Sequence, residues 1–131
     1  MSITERGPVR PIVKRAAEQR SEPAGKGPGA FIKVLLGQGE DLPNFHIREF
    51  LLEPGARIGG HLHDSIEHGQ LVLEGEMTIS LAGEEHVVRE GDSVYIPPNV
   101  EHWYENRGKG RVRFVCVIPA VKDYSTTWTG K

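Results

Sequence analysis

Cysteine is nearly absent from this sequence: Cys116 is the only one among 131 residues. It has no partner for an internal disulfide, so nothing in the composition calls for an oxidising compartment. A surplus of positive charge is missing as well, with 16 Lys+Arg against 18 Asp+Glu and a formal net charge of −2. A chain that neutralises nucleic-acid phosphates needs a basic face, so no nucleic-acid partner is expected. No apolar run approaches the roughly 20 residues that span a bilayer, and Met1 to Arg10 lacks the apolar core of a signal peptide. These absences lead us to expect a cytoplasmic protein with no membrane partner. Helical periodicity is also missing, since no window of a dozen residues repeats its apolar positions every 3.6.

What is present is glycine (16) and proline (9), high for a chain of this length and unfavourable to helices. The length allows one domain with one core. From Ala30 onward, short apolar runs alternate with turn residues. The runs are 30–36, 45–52, 56–63, 68–73, 77–81, 86–89, 93–96, 102–105 and 112–118. The breaks carry turn chemistry, as in Glu53-Pro54-Gly55, Glu74-Gly75, Ala82-Gly83 and Pro97-Pro98-Asn99. Many short strands at this spacing predict an all-β fold, a sandwich or small antiparallel barrel. Residues 1–29 read as an arm, in which Val9–Arg15 could pair as an edge strand and 16–29 form a loop. Residues 30–119 form the domain, and 120–131 a polar tail that Trp128 could dock.

Six histidines stand at 46, 61, 63, 68, 86 and 102. On a strand, His61 and His63 leave the same face, and a hairpin would bring His68 beside them. Three imidazoles from adjacent strands suit Zn, Cu, Fe or Ni. Surface histidines on an exposed turn are the alternative reading of the same spacing.

Glycines and prolines frame these histidines at regular distances. Gly55 precedes His61-Leu62-His63 by five residues, and six separate His68 from Gly75. Downstream, Gly91, Pro97, Asn99, His102 and Asn106 follow the pattern G-x5-P-x-N-x2-H-x3-N. Together the two blocks resemble the paired motifs of the cupin superfamily, with Asn99 where the second motif has glycine. Asn tolerates the left-handed turn conformation that position needs. The resemblance implies a double-stranded β-helix that holds one divalent transition metal ion per chain (Mn, Fe, Cu, Ni or Zn). Glu67 and His68 compete for the motif's acidic slot. The spacing to Gly75 favours His68, and alternation allows only one of the two to point inward. The expected ligand set is therefore His61, His63, His68 and His102, as in small single-domain cupins with an all-histidine centre.

Strand parity sketches the surroundings. Tyr104 and Asn106 share the side of His102, and Trp103 faces away. Gln70 and Val72 share the side of His68, where Gln70 could orient a substrate or water. Val112, Phe114, Cys116 and Ile118 point inward, with Cys116 an inert core thiol. Periodicity cannot place Arg48, since Glu49 charges the other face of its strand. The resemblance puts Arg48 at the cavity, where a guanidinium could hold a carboxylate or enolate oxygen. A surface position fits the residues equally well. His46 matches no motif position, and His86 should face solvent.

The pocket candidates are thus Arg48, Gln70 and Tyr104. Val72, Ile79, Tyr104 and Phe114 form the expected lining, and no Lys/Arg cluster stands near the ligands to bind a phosphate. These features predict a metal-dependent oxygenase for a small, partly apolar organic substrate, with dioxygen as a possible partner. A non-redox isomerase, lyase or hydrolase and a non-catalytic ligand-binding protein are the alternatives. A homodimer is expected, with Val9–Arg15 as the swapped or added strand.

Overall fold

A computed structural model of the chain describes residues 10–131. Its strands are β1 (Ser21–Pro23), β2 (Ala30–Leu36), β3 (Phe45–Leu52), β4 (Arg57–His63), β5 (His68–Glu74) and β6 (Glu76–Leu81). They continue with β7 (Glu84–Arg89), β8 (Ser93–Ile96), β9 (His102–Glu105), β10 (Val112–Pro119) and β11 (Thr126–Trp128). Two antiparallel sheets face each other, one in the order β1-β2-β3-β10-β5-β8 and the other β11-β4-β9-β6-β7. This is a double-stranded β-helix. The sheets do not close into one continuous hydrogen-bonded barrel. Among the described residues, no helix is long and apolar enough to cross a membrane.

The arm departs from its sequence reading. Val9 lies outside the described residues, and 10–15 form no strand. The edge strand is β1, within the stretch expected to be loop, and it pairs Ser21 with Lys33 and Pro23 with Phe31. An edge position suits Pro23, which has no amide hydrogen to donate to a further strand. The turn into β2 closes with the Ala24 amide donating to the Ala30 carbonyl at 2.9 Å.

Alternation along the strands builds the core between the sheets. Leu52, Val72, Ile79, Val112 and Phe114 are each at most 2% exposed. The Phe114 ring stacks on Phe50 at 5.0 Å and on Tyr104 at 5.1 Å. Burying each such side chain stabilises the fold by about 1.5–3 kcal/mol. Two loop residues lock the ends. Fully buried Asn106 donates through Nδ2 to the carbonyls of Leu52 (2.9 Å) and Gly110 (2.8 Å), and its Oδ1 accepts from Gly108 N–H (3.0 Å). Asn99 adopts φ 64°, the left-handed conformation that its place in the second motif requires.

Candidate metal centre

A β-bulge aims the first two histidines. The β4–β9 register steps from Ile58↔Tyr104 to His61↔His102, so three residues on β4 span two on β9. The extra residue falls at Gly59-Gly60. Without it, alternation would put Ile58 and His61 on opposite faces; with it, Ile58, His61 and His63 are all buried. His68 opens β5 from the opposite sheet, and His102 opens β9 beside His61. Glu67, next to His68, is exposed.

Four imidazoles converge. One ring nitrogen from each of His61, His63 and His102 lies within 4.8 Å of the other two. The His68 ring stands just outside this triad, with its centroid 5.2 Å from that of His63 and 5.1 Å from that of His102. Outer partners orient three of the rings. His61 Nδ1 donates to the Gly59 carbonyl at 2.7 Å, and His102 Nδ1 donates to the Val100 carbonyl at 2.9 Å. His63 Nδ1 pairs with Thr126 Oγ1 at 3.0 Å. The two carbonyl bonds set the Nδ1–H tautomer of His61 and His102 and leave their Nε2 atoms with a free lone pair.

Burial keeps the rings neutral. It pushes His63 and His102 down to about 4, His68 to about 3, and lowers His61 as well; the cation of Arg48 acts in the same direction on all four. Two nitrogens, His68 Nδ1 and His102 Nε2, are buried with no hydrogen-bond partner. A convergent set of neutral imidazoles with orphaned, buried nitrogens fits a divalent transition metal ion.

His61, His63 and His68 border a cavity of about 240 Å³. Its apolar wall comes from Ile32, Phe50 and Ile58, and its rim from Pro23, Ala24, Thr126 and Trp128. Val72, Ile79 and Phe114 do not line it, contrary to expectation. They form the packed core beneath, because Tyr104 and Phe50 stack over Phe114 and cover it.

Arg48 lines the cavity, which resolves the ambiguity of its strand: Glu49 takes the other face and pairs with Arg113 at 2.6 Å. The Arg48 guanidinium lies over the Phe50 ring at 5.3 Å, and Nη2 donates to Cys116 Sγ at 3.5 Å. Its Nε is buried without a partner. Gln70 is buried and donates through Nε2 to the Tyr104 hydroxyl at 2.7 Å. Burial raises the Tyr104 phenol far above its ordinary value, so it stays protonated. His46 is buried beside Gln38 and Asp41, away from the metal cavity, and His86 is exposed. The sequence reading missed Thr126, the partner of His63, and Pro23 at the end of β1, which lines the cavity. No local signal marks either, because both reach the site through long-range pairing.

A double-stranded β-helix with convergent inward histidines defines a class of small all-β folds whose site could hold a metal ion. Comparison with known proteins is specific: residues 48–118 match the family described as Cupin domain. The chain belongs to the cupin family. It is 31% identical over 94 residues to an uncharacterized protein of Methanocaldococcus jannaschii, covering 67% of this chain and 71% of that one. It is also 32% identical over 65 residues to polyketide synthase CurC of Streptomyces cyaneus, covering 50% of this chain and 42% of that protein. Among solved structures, the polyketide cyclase RemF of Streptomyces resistomycificus superposes with a TM-score of 0.74 at 23% identity, covering 92% of this chain and 89% of that one. A sugar phosphate isomerase of Silicibacter pomeroyi reaches a TM-score of 0.78 at 20% identity, covering 92% and 83%. At these identities the structural likeness speaks for the fold alone.

Proposed function

We propose that this chain is a metal-dependent oxygenase acting on a small, partly apolar organic anion. The observation that carries the reading is charge. Neutral imidazoles would leave a divalent ion its full +2, and Arg48 adds a further cation at the same cavity. No carboxylate pairs with Arg48 among the described residues, and none lines the cavity. An enolate or carboxylate ligand supplies the missing negative charge. Bound Fe, Mn or Cu would supply redox chemistry toward dioxygen.

The chain's own residues divide the remaining work. Arg48, whose side chain lines the cavity, donates to an anionic substrate oxygen. Gln70 holds the Tyr104 oxygen, which turns the phenolic proton toward the cavity as a second donor. Ile32, Phe50 and Ile58 take the apolar part of the substrate, and Trp128 shields the mouth.

The test is metal analysis of untagged protein with oxygen uptake over a panel of diketones, catechols and enols. Fe, Mn or Cu with substrate-dependent uptake supports the reading. The second reading is non-redox chemistry by a Lewis-acid ion on a polyketide-like substrate, for which the similarity to polyketide synthase CurC speaks. Zinc or nickel, with conversion of an enol and no oxygen uptake, would replace the first reading with the second. Ligand binding without metal or turnover would replace both with a binding protein.

A homodimer completes the proposal. Ile12 and Val13, 41% and 71% exposed, lie in the segment 10–15, which has no strand partner among the described residues. Pairing with a second copy would cover them.

A further inference from the structure

The rings of Phe50, Tyr104 and Trp128 border the metal cavity, and protein groups already engage each of them. Phe50 stacks on Phe114 with centroids 5.0 Å apart, and the Arg48 guanidinium lies 5.3 Å from its centre. Tyr104 stacks on the same Phe114 at 5.1 Å and meets His102 at a steep angle, 78°, at 5.6 Å. Trp128 lies 5.0 Å from His61 and carries Lys26 Nζ at 5.0 Å. A ligand ring that stacked here would compete with contacts the fold already makes. It would forfeit the attraction that aromatic pairs add to area burial.

The remaining apolar wall is aliphatic and branched: Ile32, half-buried against the core, and Ile58, buried. A rounded saturated group fills the space beside such side chains, whereas a flat ring leaves gaps whose lining loses its dispersion contacts. Size is limited as well. At about 240 Å³ the cavity lies below the roughly 300–1,000 Å³ of pockets that take drug-sized molecules, so it admits one small ring or a short branched chain. Charge fixes the other end. Arg48 lines the cavity with its Nη2 donating to Cys116 Sγ at 3.5 Å, and no carboxylate lines it among the described residues.

We propose that the cavity takes a compact aliphatic carboxylate or enolate and selects against an aromatic one of equal size. The anionic pole of this ligand rests on the function proposed above; its saturated body follows from the walls alone. Arg48 receives the anionic oxygen, and Ile32 and Ile58 enclose the aliphatic part.

The test titrates the full chain with cyclohexanecarboxylate and with benzoate, which match in charge and in number of non-hydrogen atoms. Constant ionic strength and EDTA keep salt and metal from contributing, and tryptophan fluorescence with ligand-observed saturation transfer are the readouts. We expect saturable binding of cyclohexanecarboxylate, at least about threefold tighter than that of benzoate, and no gain for the longer decanoate. Ile32→Ala should abolish the preference, and Arg48→Gln should weaken both ligands at least about fivefold, with circular dichroism checking the fold of each variant. Benzoate bound as tightly, decanoate bound more tightly, or a preference untouched by Ile32→Ala would overturn the aliphatic class and leave the proposed function standing. No saturation by either ligand, or affinity unchanged in Arg48→Gln, would overturn the anionic pole and that function with it. The comparison within the parent decides even where a variant fails to fold.

Discussion

His61 Nδ1 donates to the carbonyl of Gly59, two residues back on the same strand, at 2.7 Å. That carbonyl belongs to the bulge that turns His61 inward, so one irregularity both aims the ring and sets its tautomer. The centre therefore depends on backbone geometry as well as on the identity of its side chains.

The ligand set is tested by two neighbours. His68 is 3% exposed with a free buried nitrogen, whereas Glu67 is exposed. His68→Ala should weaken binding of Co or Ni more than about 100-fold, beyond the roughly 10–100-fold that loss of an outer partner costs. Glu67→Ala should leave it unchanged. Competition with a chelating dye measures both, and the reverse order would remove His68 from the set.

Thr126 should matter to affinity without touching the ion. Thr126→Val keeps the shape of β11 and removes the partner of His63 Nδ1. We expect about a 10-fold loss of metal affinity with the fold intact. Affinity equal to that of the parent would show that the pair at 3.0 Å does not hold the ring.

Stability of the metal-free chain should follow the histidines. His63, His68 and His102 titrate near 4, 3 and 4 when folded, against 6.5 in their ordinary state, because burial disfavours the cation. The unfolded chain therefore binds more protons between those limits. This contribution is fully present above pH 6.5 and is lost as pH falls toward 4. Urea midpoints in EDTA at pH 7.5, 6 and 5 should fall, and fall less steeply in His68→Leu. Identical slopes for parent and variant would contradict the argument.

Much of the fold was legible because alternation and turn residues are local. The runs 30–36, 45–52, 93–96 and 102–105 coincide with β2, β3, β8 and β9. Spacing to Gly75 together with alternation separated buried His68 from exposed Glu67. Other features are set by distant partners and leave no local trace. β1 is three residues ending in proline, and it is a strand only because β2 offers it an edge. Thr126 reaches His63 across 63 positions of chain. The bulge at Gly59-Gly60 reverses a parity that the sequence pattern alone cannot reveal.

Asn106 should be the costliest polar side chain to truncate. Asn106→Ala leaves the Leu52 and Gly110 carbonyls and the Gly108 amide without this partner. We expect a loss of about 3 kcal/mol by denaturant unfolding. A loss under about 1 kcal/mol would mean that water replaces the three bonds.

The proposed dimer is tested by sedimentation at micromolar concentration. The parent should run as a dimer, and Val13→Asp should shift it toward monomer. A monomeric parent, or a dimer indifferent to Val13→Asp, would defeat the role given to the arm.

Strand β11 places Thr126 opposite His63 and Trp128 opposite His61, so the last strand and the metal-facing strand share one ladder. Anything that steadies those two rings must also steady the tail, and by reciprocity a tail detached from the ladder loosens the rings. An ion held by His61 and His63 would thus be thermodynamically linked to the pairing of β11. Amide exchange at Thr127 should slow when the ion is loaded, and a protease that trims the tail should find its target withdrawn.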